Sequence, residues 1–301
     1  MNCKVHQLFG VEGKVVAITG AAGVIYGTIA KALAENGAKV ALLDILKDKV
    51  EEQAAEIRES GGCQKRGRGR KSGRRSGGEA IGVECNVLDA GSVQKALDAI
   101  VAEFGGCDVL INGAGGNRKG ATVPADGKFT DLSVDELDKV FALNYKGTFL
   151  PSQIFCKYFA KRGAGCIINT SSMSALAPLT NVPGYSNAKA AVTNFTQWLA
   201  VQVRVDYPGV NIRVNEIAPG FLDTTQNHFL LFEADDRTLT RRGRSIIEHT
   251  PLGRFGRPEE LVGGIVLLMS EAGTFLHGVT LPIDGGFNVY SGVGPLDEKR
   301  K

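Results

Sequence analysis

Seven short apolar runs, each separated from the next by a helix-length amphipathic stretch, dominate the chain and leave few folds open to it. The runs are residues 14–19, 38–44, 80–86, 107–113, 165–171, 210–217 and 279–284. Several, such as "KVVAIT" and "AKVALLD", are continuous and apolar, as strands buried on both faces of a parallel sheet are. Helical spacing occupies 23–36, 47–59, 92–104, 133–160, 185–206 and 257–270. Gly37 reads as a helix stop, and Ser133, three residues before Glu136, as a capping start. The alternation predicts one α/β domain over residues 1–301, a doubly wound, seven-stranded parallel sheet flanked by helices. Residues 221–250 break the rhythm and are expected to form a flap near the carboxyl ends of the strands.

Composition excludes several classes. The longest apolar runs, such as "GGIVLLM", are far too short to span a bilayer, and the first fourteen residues hold no signal-like apolar core. A cytoplasmic location is the expectation. Six cysteines without a C-x-x-C pair argue against a metal site or a disulfide framework. The net charge of +3 hides an asymmetry: residues 63–75 hold seven basic residues and no acid, so the remainder carries −4. Gly, Ser and like charges build no core, so this tract reads as a disordered, solvated surface insertion rather than a nucleic-acid site.

The first strand leads into "TGAAGVIYG" (19–27), where Ala22 and Ile25 stand in place of two glycines of a G-x-G-x-x-G fingerprint. Backbone N–H donors at a helix start do not depend on side chains, so Gly20, Gly23, Val24 and Ile25 can still cradle a pyrophosphate. Gly23 and Gly27, four apart, are expected to share a face that approaches the sheet or ligand closely, with Tyr26 pointing elsewhere. Spacing alone also allows a glycine-rich connection without a ligand. Asp44, ending the second strand 24 residues after Gly20, is placed to accept hydrogen bonds from adenosine ribose hydroxyls. Ile45 and Leu46 offer no cation for a 2′-phosphate, which favours NAD over NADP.

Further along, "NTSSMSALAPLTNVPGYSNAKAA" (169–191) sets Tyr185 and Lys189 four apart on one helical face, with Ser172 thirteen residues upstream at a strand end. "NGAG" (112–115) ends the preceding strand, Asn144 sits in the helix between, and "APG" (218–220) ends the next strand. This ordered set resembles the short-chain dehydrogenase/reductase family over roughly residues 10–290. The resemblance implies a single-domain Rossmann-type fold, a nicotinamide cofactor, and a catalytic tetrad of Asn144, Ser172, Tyr185 and Lys189. Those residue types suit the reaction: an alkoxide left by hydride transfer needs a hydroxyl donor, and a phenol with a free pKa of about 10 needs a neighbouring cation. Lys189 is also implied to reach the nicotinamide ribose. Further cofactor contacts implied are Asn86, Val87, Asn112, Gly113, Ala114, Gly115, Pro219, Gly220, Leu222 and Thr224.

"GVIYG", "NGAGGN", "PSQIF", "NFTQWLAVQ", "TTQN", "TPLGRFGRPEEL" and "LPIDGGFNVYSGV" are similar to one subgroup, the D-mannonate oxidoreductases or D-fructuronate reductases. A gluconate 5-dehydrogenase-like ketogluconate reductase is the rival reading, and a non-catalytic NAD-binding protein is a second class. A sugar acid calls for a cation and amide donors. Candidate substrate contacts are Asn117, Arg118, Ser174 and Gln226, with Lys119, Asn227 and His228 nearby. The family also implies a homotetramer, with helices 133–160 and 185–206 at an interface.

Overall fold

The computed structural model describes residues 4–60, 78–124, 126–225 and 227–293. The basic tract 63–75 and Gln226 lie outside the described residues. Seven strands form one sheet: β1 (Val15–Thr19), β2 (Lys39–Asp44), β3 (Glu79–Glu84), β4 (Val109–Asn112), β5 (Ala164–Thr170), β6 (Asn211–Pro219) and β7 (Thr280–Ile283). Their order is β3-β2-β1-β4-β5-β6-β7, and every neighbouring pair is parallel. The order reverses at β1 and β4, which pair from Val16↔Val109 to Thr19↔Asn112, so the connections leaving their carboxyl ends diverge and open a crevice.

Eleven helices are described: α1 (Val5–Leu8), α2 (Val24–Glu35), α3 (Lys47–Ser60), α4 (Ala90–Phe104), α5 (Val134–Phe141), α6 (Gly147–Arg162), α7 (Met173–Leu176), α8 (Pro183–Asp206), α9 (His228–Leu231), α10 (Arg241–Glu248) and α11 (Val262–Met269). Strand alternation divides the core. Ile18, Leu42 and Ile168 face one layer with Ile29, Leu33 and Ile265, while Ala17, Leu43 and Leu110 face the other with Phe155 and Phe159. Among the described residues no helix is long and apolar enough to cross a membrane.

Two local outcomes differ from the sequence pattern. The single helix expected over 133–160 begins as expected, with Ser133 Oγ accepting from Glu136 N at 3.3 Å. It then widens into a π turn over Ala142–Lys146 before α6. The cause is local: Asn144 Nδ2 donates to Val140 O at 2.8 Å, inserting a side chain among the helical carbonyls. The segment 221–250 contains α9 and α10, and Leu231 and Ile246 pack with Phe255 in a small core of their own.

Candidate active site

The crevice at the crossover is a cleft of about 510 Å³. Gly20, Gly23, Val24 and Ile25 form one wall, Asp44 and Ile45 the rim, Asn86 and Val87 the next edge, and Gly113, Ala114 and Gly115 the far side. The turn after β1 works because Gly20 has φ +71°, and a Cβ there would lie 2.7 Å from Ala114 N. Gly23 caps α2 without a side chain, which leaves the first-turn amides facing the cleft. Asp44 accepts from Ala22 N at 3.2 Å and Leu46 N at 3.1 Å, so the carboxylate is fixed at the strand end.

Two expectations about this turn are corrected. Gly27 does not share a ligand-facing surface with Gly23; a Cβ there would meet Gln53 Nε2 of α3 at 2.8 Å, so its close approach is to a helix. Tyr26 turns inward. It is buried, hydrogen-bonds Thr170 Oγ1, and lies so close over Gly113 that a Cβ there would sit 2.5 Å from its ring. Tyr26 and Ile25 line this cleft and also a second pocket of about 170 Å³. Period-3.6 spacing from the turn could have placed Tyr26 on the sheet-facing side.

The second pocket gathers Ser172, Tyr185, Pro219, Gly220, Leu222, Thr224 and Asn227. Three elements deliver its reactive groups. Ser172 caps α7 at the end of β5, with Oγ accepting from Ser174 N at 3.2 Å. Tyr185 and Lys189 project from α8, whose first turn begins at Pro183, where a missing N–H costs no helical bond. Tyr185 and Ser172 share a hydrogen bond that holds the phenol pKa down, but burial is the larger effect and raises it. The Lys189 ammonium lies 5.6 Å from the centre of the Tyr185 ring and donates to Thr170 O at 2.8 Å. Burial lowers its pKa to about 8, while the negative charge of Glu216 acts to raise it. Asn144, fully buried in the π turn, grips the loop after β4: Nδ2 donates to Gly116 O at 2.7 Å and Oδ1 accepts from Gly116 N at 3.1 Å.

The remaining site candidates are distributed differently. The Asn112 side chain is buried, donating to Ser152 Oγ at 2.9 Å and Asn169 Oδ1 at 2.8 Å, so it ties strands and helix together below the cleft. Asn117 donates to Thr122 Oγ1 at 2.8 Å, and Arg118 pairs with Glu136 at 3.0 Å; neither lines the two compartments. Ser174 Oγ is buried and has no hydrogen-bond partner among the described residues. Asn227 is spent on the loop, accepting from Thr224 N at 2.9 Å and donating to Leu222 O at 2.8 Å. His228 lies 2.9 Å from Asp223 and stacks on Phe232. The residue that sequence reasoning missed besides Tyr26 is Glu216, a fully buried carboxylate in "RVNEIAPG". A lone acid in an otherwise buried strand was the available signal.

A crevice of this shape, beside a Ser–Tyr–Lys constellation on a doubly wound sheet, defines a class of oxidoreductase. The family model described as enoyl-(acyl carrier protein) reductase matches residues 20–288. The chain belongs to the short-chain dehydrogenase/reductase family. An uncharacterized oxidoreductase of Haemophilus influenzae is 44% identical, covering 94% of this chain and 95% of that protein. A solved structure from the same organism, a provisionally assigned D-mannonate oxidoreductase with bound NAD, is 43% identical at a TM-score of 0.82, covering 94% and 98% of the two chains. A gluconate 5-dehydrogenase from Burkholderia cenocepacia, with NADP and tartrate, is 27% identical at a TM-score of 0.78, covering 95% and 99%.

Proposed function

We propose that this protein is an NAD-dependent oxidoreductase that interconverts a ketone and a secondary alcohol on a sugar acid, with D-fructuronate and D-mannonate as the pair. The observation that carries the reading is the meeting of Ser172 and Tyr185 at a pocket sharing Ile25 and Tyr26 with the larger cleft, with the Lys189 ammonium 5.6 Å from the centre of the Tyr185 ring. The cleft fits a dinucleotide in volume, in its amide donors at the start of α2, and in its glycine wall. At Gly115 a Cβ would lie 2.7 Å from Asn144 Oδ1 and 3.2 Å from Lys189 Nζ, so only a bare backbone passes there. Asp44 supports NAD, because a 2′-phosphate beside it would meet a carboxylate and the apolar, exposed Ile45 and Leu46. The Haemophilus neighbour holds NAD and the Burkholderia one NADP, so the fold by itself does not make this choice, and the reading of NAD here rests on Asp44.

When bound, the nicotinamide supplies a hydride to the carbonyl carbon or takes one from the alcohol. Tyr185 gives its phenol proton to the developing alkoxide oxygen, and Ser172 donates a hydrogen bond to the same oxygen. Lys189 stabilises the phenolate left behind. Asn144 holds the backbone at Gly116 and, through it, the strand-end loop against Lys189. Arg118 is proposed as the carboxylate partner: if it swings to substrate, Glu136 keeps Lys139 at 2.6 Å. Exposed Trp198, Val201 and Val205 on α8 support assembly as a homotetramer. Sedimentation of Val201→Glu tests that assembly, and an unchanged species would refute it.

A ketogluconate is the second reading, favoured by the Burkholderia neighbour. NADH oxidation at 340 nm with D-fructuronate, with 5-ketogluconate and NADPH in parallel, separates the two. Turnover of fructuronate that Tyr185→Phe abolishes supports the proposal. Turnover of 5-ketogluconate alone transfers the assignment, and NADH binding without turnover of either returns the non-catalytic class.

A further inference from the structure

Glu216 is fully buried on β6, the strand next to the edge strand β7, with β6 paired to β5 through Asn169↔Glu216 and to β7 through Glu216↔Thr280. Neither oxygen lacks a partner. Thr280 donates to Oε1 at 2.7 Å and Thr196 to Oε2 at 3.0 Å, with Thr193 as a further side-chain hydrogen bond. Yet among the described residues no cation comes within salt-bridge distance of it. An uncompensated buried carboxylate is costly, and hydroxyl donors alone do not neutralise it.

The layout of α8 resolves this. Lys189, Thr193 and Thr196 follow one another at helical spacing on the face turned to β5 and β6, so the helix that hydrogen-bonds the carboxylate through Thr196 also carries a buried ammonium, which donates to Thr170 O on the neighbouring β5. Ser171 closes the gap, sharing a hydrogen bond with Thr193 Oγ1 at 2.7 Å and donating to Lys189 O at 3.2 Å. Lys189 and Glu216 are both almost wholly removed from water, where charges act over longer distances than at a surface. Burial raises the Glu216 pKa and lowers that of Lys189, and against this the threonine hydrogen bonds and the Lys189 charge favour the carboxylate form of Glu216, while Glu216 favours the ammonium form of Lys189. Among the described residues, the titratable group beside Lys189 is Tyr185 on α8, whose charge in turn acts on Tyr26 of α2.

We propose that Glu216 is a positioning residue of the active site: a buried countercharge that keeps the Lys189 ammonium in place and charged from the side away from the pocket. The inference rests on Lys189 taking part in the reaction proposed above. It makes the strand that carries the site's rear wall a source of its electrostatics, and it separates charge from hydrogen bonding, since a neutral amide at the same position can accept from Thr280 through its oxygen and donate through its nitrogen to Thr196 Oγ1, whose proton then goes to Val192 O.

The test reads Lys189 directly, without cofactor or ketone. In protein labelled with [13Cε]lysine, with the resonance assigned by Lys189→Arg, the Lys189 signal titrates near its value of about 8. In Glu216→Gln the midpoint falls by about one pH unit, whereas Glu216→Asp, which keeps the charge, stays near the unsubstituted protein. A lowered melting temperature with an unmoved Lys189 midpoint overturns the proposal and leaves Glu216 a structural residue. If Glu216→Gln does not fold, the unsubstituted protein decides: coupled groups give the Lys189 curve a second inflection where Glu216 takes up its proton, and a single-step curve overturns the coupling. In the NADH-driven reduction, the alkaline limb of kcat/KM in Glu216→Gln moves down with the NMR midpoint. A shifted midpoint in a protein that reduces no ketone would refute the proposed reaction and sustain the coupling. Turnover with an unmoved midpoint would do the reverse.

Discussion

Replacing Gly115 by alanine adds one methyl group where the wall of the proposed cofactor cleft abuts two of the proposed catalytic residues, Asn144 and Lys189. The new Cβ would stand 2.7 Å from Asn144 Oδ1 and 3.2 Å from Lys189 Nζ. Asn144 cannot simply rotate away, because Nδ2 is held by Val140 O and Gly116 O, and Oδ1 by Gly116 N. Either a hydrogen bond of about 1 kcal/mol is lost or the loop after β4 retreats by several tenths of an ångström. Overpacking of this kind costs about 1–3 kcal/mol, and a fall in melting temperature of about 2–4 °C per kcal/mol applies to somewhat smaller chains than this one. The larger effect is on rate, since displacement of catalytic groups by about 1 Å costs up to about 100-fold. Gly115→Ala is therefore expected to lower kcat with the best ketone by about 10- to 100-fold, with a melting temperature only a few degrees down. Stopped-flow NADH oxidation and a thermal melt measure both. A kcat within twofold of the unsubstituted enzyme would refute the reasoning, because it would mean that Asn144 and Lys189 yield without consequence.

Asp44→Asn removes the charge proposed to face the ribose and keeps one acceptor oxygen, enough for only one of the two bonds that Ala22 N makes to Oδ2 and Leu46 N makes to Oδ1. A charge-assisted bond of about 1.5–3 kcal/mol corresponds to a rise in KM for NADH of about 10- to 100-fold, with a smaller change for NADPH; equal rises would discard the ribose role. Arg118→Ala should raise KM for a hexuronate far more than for a neutral ketone, and equal effects on both would remove the carboxylate role. The pH profile of ketone reduction should fall above about 8, because burial lowers the Lys189 pKa to that value and the ammonium is lost as pH rises through it. A profile flat to pH 10 would exclude the ammonium from the rate-limiting step.

Strand and helix order was legible in the chain because burial on both faces of a parallel sheet demands continuous apolar runs, and all seven expected strands are present. Ser172, Tyr185 and Lys189 were legible for a similar reason: helical spacing puts Tyr185 and Lys189 on one face, and a strand end brings Ser172 to it. What spacing does not encode is which side of a turn a residue faces, or what neighbours compete for it. Tyr26 turned into the sheet because Gly113 leaves room for its ring. Arg118 found Glu136 on a helix 18 residues away, and Asn144 opened a π turn by bonding back to Val140. Glu216 is the sharpest case. In the sequence it is an isolated acid in an apolar strand. Only the packing of α8 across β6 surrounds it with threonines and sets it behind Lys189, because buried charge takes its meaning from groups remote in the chain.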